Sequence, residues 1–95
     1  MKLYAVIIGE YECRTNGLVT SNLKEALDYA YESNDKSKCY FEKFESIEYW
    51  EDGDFIAVYP DVYKDSVSGD ENVFKNSITN RFKEKEDEYM KNKIK

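Results

Sequence analysis

The dipeptide Asp52-Gly53 divides the most aromatic stretch of this chain into two strand-like runs, and nothing else in the sequence constrains the fold as strongly. Asp-Gly tolerates positive φ at both central positions, which suits a two-residue hairpin turn. On one side stand Tyr40, Phe41, Phe44, Ile47, Tyr49 and Trp50, and on the other Phe55, Ile56, Ala57, Val58 and Tyr59. Aromatic and β-branched residues favour a pleated, half-buried surface. Residues 39–59 therefore read as an antiparallel hairpin that Pro60, lacking an amide donor, brings to a stop. A lone hairpin is marginal in water and needs further strands or a helix to cover it. The rest of the chain supplies both.

Residues 3–8 form a short apolar run bounded by Gly9, and their continuity predicts a strand buried on both faces. Asn16-Gly17 carries a second hairpin signal, with 18–20 as the returning strand. Ser21 or Asn22 can cap a helix, and Asn22 with Glu25 has capping-box spacing. Leu23, Ala26, Leu27, Ala30 and Tyr31 then recur at helical spacing along one stripe. That helix should end among the turn-forming residues 33–35. Residues 61–69 read as a loop, with a short edge strand at 62–63. Asp70 can cap a last helix reaching about Lys91, in which Phe74, Ile78 and Phe82 mark every fourth position. The expected class is α+β: an antiparallel four-stranded sheet with two helices on one face, in ββαββα order. One domain over 1–95 is expected, fraying over 92–95.

Composition narrows the function classes. With no histidine, Ser-His-Asp and Cys-His catalysis and histidine-based zinc sites are excluded. Only two cysteines occur, Cys13 and Cys39, with no CxxC spacing, and free thiols are expected. The four glycines are scattered and make no phosphate-binding loop. A formal net charge of −6 opposes direct contact with nucleic acid or anionic lipid and favours a basic partner. The apolar start ends at Gly9-Glu10 with no small-residue cleavage site, so it reads as a strand and not a signal peptide. A cytoplasmic protein with no cofactor and no enzymatic activity is the expectation.

The segments 4–11, 16–21 and Leu23-Lys24-Glu25-Ala26, with the later acidic-aromatic run Ile47-Glu48-Tyr49-Trp50, resemble small uncharacterised proteins of Gram-positive bacteria and their phages. In those a strand pair leads directly into a helix. The resemblance covers roughly the first 58 residues and implies the strand–helix order and an origin. It implies no activity.

The charge is local. Residues 42–65 hold eight of the twenty acids and two of the fourteen bases, which leaves twelve of each elsewhere. Because strand side chains alternate, acids spaced by three cannot all share one face, and they are expected to decorate the solvent face and the turn. The leading expectation is a non-enzymatic protein-interaction module of the phage-inhibitor type. It would present Glu45, Glu48, Trp50, Glu51, Asp52 and Asp54 to a basic, nucleic-acid-handling protein. The bland reading of the same acids is a solubilising surface and charged sheet edge. A second functional reading is a small-ligand protein, holding a nucleotide or other anion with Arg14, Lys36 and Lys38. A third is a structural domain with no specific ligand. Glu51-Asp52-Gly53-Asp54 lacks the calcium-loop pattern, and no metal site is expected. Phe82, Tyr89 and Met90 mark a helix end that a homodimer would cover. Tyr29, off the stripe, and Tyr11, Tyr40 and Tyr63, near loops, are candidates for exposure.

Overall fold

A computed structural model describes residues 1–9, 14–34, 43–60 and 70–94. The elements run β1 (Lys2–Ile8), β2 (Thr15–Thr20), α1 (Leu23–Ser33), β3 (Phe44–Glu51), β4 (Asp54–Tyr59) and α2 (Glu71–Ile94). The strands form one antiparallel sheet in the order β2-β1-β3-β4. The ββαββα order and the α+β class are those the sequence pattern predicts. The expected loop at 61–69, the edge strand at 62–63, both cysteines and Tyr11, Tyr40 and Tyr63 lie outside the described residues.

Local chemistry sets the element ends. The Asn22 side chain accepts a bond from the Glu25 amide at 3.2 Å, so the cap spacing is realised. Thr20 Oγ1 accepts from the Asn22 amide at 3.1 Å and holds the strand-to-helix corner. At α2, Asp70 Oδ1 accepts from the amides of Asn72 at 2.8 Å and Val73 at 3.3 Å. Asp52 and Gly53 have φ of 51° and 86°, the left-handed pair that the hairpin needs. β4 ends at Tyr59, immediately before Pro60.

Both helices cover the same sheet face. One core joins Tyr4 and Val6 of β1, Ile47 and Tyr49 of β3, and Ala57 and Tyr59 of β4 to Ala26, Leu27 and Ala30 of α1 and Phe74, Ile78 and Phe82 of α2. Aromatic rings knit it together. Tyr4 stacks on Tyr49 at 5.2 Å between centroids and on Phe82 at 6.0 Å, while Phe44 meets Phe74 edge-on at 5.4 Å.

Several expectations need correction. Asn16 and Gly17 do not turn the chain. They lie inside β2, where Val6 pairs with Leu18 and Ile7 with Asn16, leaving Gly17 as the extra residue of a bulge. A Cβ on Gly17 would come within 2.6 Å of the Tyr29 hydroxyl, so glycine serves there to admit the helix above. For the same reason Tyr29 is half-buried over the bulge and packed on the core, not exposed. The described helices cover β1 on one face, where Tyr4 and Val6 are buried; on the other face Ala5 is buried as well, at 8%, but Leu3 is 36% exposed, so burial there is partial. Finally, α2 runs three residues beyond the expected Lys91 end, to Ile94. No helix among the described residues is long and apolar enough to cross a membrane.

Candidate functional site

The acids of the central hairpin separate into three environments, and strand alternation determines which acid goes where. Ile47, Tyr49 and Glu51 point toward the helices, whereas Glu48 and Trp50 point away.

Glu51 is thereby buried, 7% exposed, beneath α2. The Tyr49 hydroxyl lies 2.7 Å from Glu51 Oε2 and 3.0 Å from Glu86 Oε2 on α2. Its single proton serves two carboxylates. Lys2 Nζ donates to the same Glu86 oxygen at 2.8 Å and supplies the balancing charge. Burial and these two anionic neighbours push the Tyr49 phenol well above its ordinary range. The bond from Lys2 holds the Glu86 carboxyl below its own. No buried side-chain nitrogen or oxygen among the described residues lacks a partner.

The turn acids are engaged as well. Asp52 accepts from the Met1 amine and lies 3.6 Å from Lys93 Nζ, and the bond from the amine lowers the Asp52 carboxyl. The Tyr89 hydroxyl donates to Asp54 Oδ2 at 2.9 Å. Thus the far half of α2, a charged extension by its sequence, lies over the turn and binds it through polar contacts. Phe82, a dimer candidate by its sequence position, is 3% exposed in the core and is not a surface residue. Tyr89 is spent on Asp54, and Met90 stands 40% exposed.

The third environment is the sheet face opposite the two described helices. Cross-strand register sets Leu3 beside Trp50, Ala5 beside Glu48 and Val19, Trp50 beside Phe55, and Glu48 beside Val58. Val19 and Phe55 are 52% and 50% exposed, far more than apolar residues of a covered face. Trp50 and Phe55 meet edge-on at 5.4 Å. The Trp50 indole Nε1 donates to Glu48 Oε1 at 3.2 Å and fixes the carboxylate against the ring. Glu48 thus stands beside the described apolar residues of this face, oriented by a tryptophan.

Of the predicted protein-binding residues, the structure brings Glu48 and Trp50 together on this face. It sends Glu51 to the interior and Asp52 and Asp54 to the α2 clasp. Glu45 is joined to Arg14 at 2.9 Å. Arg14 is the anchor of the anion reading, so an anion there would have to compete with Glu45. Lys36 and Lys38 lie outside the described residues. Among the described residues no group of three metal-ligating side chains converges. Sequence reasoning missed Leu3, Val19 and Phe55, although counting parity from Tyr4 and Val6 places Leu3 on the opposite face, and pairing carries the count to Val19 and Phe55. No protein-family model, curated protein or solved structure matches this chain.

Proposed function

We propose that the chain is a non-enzymatic protein-interaction module that presents an acidic, aromatic surface to a basic protein, in the manner of an inhibitor that occupies a site meant for nucleic acid or another anion. The observation that carries this reading is the sheet face opposite the two described helices, where Trp50 and the half-exposed Phe55 stand beside Glu48. Aromatic anchors on an open, rigid surface are the residues that dominate binding energy at interfaces. A sheet face with register fixed on both sides loses little entropy when a partner docks. The net charge of −6 steers a basic partner toward the module and makes association fall with salt.

The test is capture of protein partners from a bacterial lysate by the wild-type chain and by a Trp50→Ala/Phe55→Ser variant. The double variant should lose the captured protein while keeping its circular dichroism and a cooperative unfolding transition. Adding salt should release the protein from wild type. Equal capture by both baits would sink the reading.

A further inference from the structure

The open face differs from an ordinary hydrophobic interface in one respect: its centre is a carboxylate. Glu48 stands in register between Ala5 of β1 and Val58 of β4, with Trp50 two residues along the same strand face and Leu3 and Phe55 flanking that tryptophan. Each other described acid of the hairpin has a cationic or hydroxyl partner: Arg14 for Glu45, Tyr49 for Glu51, the Met1 amine and Lys93 for Asp52, and Tyr89 for Asp54. Glu48 is held instead by a neutral indole N–H, which orients it without neutralising it.

Building on the protein-binding reading, we infer that Glu48 and Trp50 form a seat for one lysine or arginine side chain of the partner, whose neighbouring apolar residues cover Leu3, Val19 and Phe55. The carboxylate accepts a charge-assisted bond through the oxygen and lone pairs that Trp50 leaves open. The indole, already turned toward the carboxylate, offers its ring to the alkyl stem or the cationic head. The occupant's chemistry follows from charge: a second copy laid face to face would set Glu48 near Glu48 between two chains of net charge −6, which opposes self-association through this surface. An acidic or uncharged apolar partner would leave the half-buried carboxylate desolvated and unpaired. A segment with a single cation among apolar residues complements Glu48, Trp50, Leu3, Val19 and Phe55 together.

A selection from a random peptide library tests this with no partner specified in advance. Three baits are compared: wild type, Glu48→Gln, and Asp52→Asn/Asp54→Asn, each checked for native circular dichroism. Wild type should enrich peptides that carry one lysine or arginine flanked by apolar residues. The Glu48→Gln bait should lose the cation from the consensus and bind the wild-type peptides about five- to tenfold more weakly. The turn variant should select the same peptides as wild type. Enrichment that survives Glu48→Gln, a consensus with no cation, or loss confined to the turn variant overturns the cation seat and leaves the protein-binding reading standing. Failure of wild type to enrich any peptide overturns both. Sedimentation of the free chain as a dimer that Trp50→Ala dissociates would assign the face to a second copy and also overturn the inference.

Discussion

The two faces of this sheet are built by the same strands, often by adjacent residues, yet they treat polar groups in opposite ways. On the helix side, the carboxylate of Glu51 is buried and its nearest partner is the Tyr49 hydroxyl, itself shared with Glu86 and backed by Lys2. Every buried polar side chain described there is matched inside the molecule, beside the packed rings of Tyr4, Tyr49 and Phe82. On the other side, Glu48 is held among the described residues by the Trp50 indole, and apolar side chains stand half in water. A buried carboxylate that is fully satisfied rigidifies a fold, whereas an oriented but uncompensated one on an open face is available to a partner. Similar residues, placed on opposite sides of one strand, are thereby given different work.

Truncations should separate the faces most sharply. Phe74→Ala, on the covered side, should cost about 3–5 kcal/mol in denaturant unfolding and leave little folded protein in a chain this small. Trp50→Ala, on the open side, should cost no more than about 1.5 kcal/mol, the scale of its contact with Phe55. Comparable losses from the two would erase the distinction between core and presented surface.

Removing one oxygen comes next in size. Tyr49→Phe keeps the rings packed but strips Glu51 of its hydroxyl donor, and about 1–3 kcal/mol should be lost in the same unfolding experiment. Substituting Glu51 by Gln in that background should restore part of the loss, because the remaining desolvated charge is removed. If Tyr49→Phe unfolds at the wild-type midpoint, the hydroxyl cluster does not clasp α2 to the sheet.

How far the sequence made this arrangement legible depends on whether the decisive contacts are local. The Asn22 and Asp70 caps, the Asp52-Gly53 turn and the Phe74-Ile78-Phe82 stripe follow from spacings within a few residues, and each is readable. Gly17 is not, because its glycine requirement comes from Tyr29 on a different element and not from the turn chemistry of Asn-Gly. Nor is the fate of the acidic hairpin. Alternation separates Glu48 from Glu51, but only the placement of the helices decides which of the two is buried. The clasp of α2 over the turn joins Glu86 to Lys2 and Tyr89 to Asp54, and pairs so distant in sequence leave no periodic signal.

Acid titration gives a smaller effect on the covered side. Lys2 and Tyr49 hold the folded Glu86 carboxyl below its ordinary 4.5. Such a group contributes stability at pH above its unfolded value, and the contribution is lost as pH falls from there through the depressed folded value. Asp28, lowered by the bond from Lys75 that links α1 to α2, acts in the same direction from its ordinary 3.8 downward. The unfolding midpoint should therefore fall between neutral pH and pH ~3. Glu86→Gln should flatten that decline. An identical slope in wild type and Glu86→Gln would remove Glu86 from the clasp.

Smallest of all should be Gly17→Ala, costing about 1 kcal/mol through crowding against Tyr29 and Ile8. Most of that cost should vanish in a Tyr29→Ala background, as a double-mutant cycle would show.

Trp50 is the single tryptophan of the chain, so its fluorescence reports on the open face without labelling. Titrating the protein with its captured partner, or with a selected cationic peptide, while following Trp50 emission and acrylamide quenching tests the central claim most directly. A partner seated on Glu48 and Trp50 should shift the emission to the blue and lower the quenching constant, with both changes reversed by salt. Saturable binding that leaves the emission and quenching of Trp50 unaltered would place the interaction elsewhere and contradict the account.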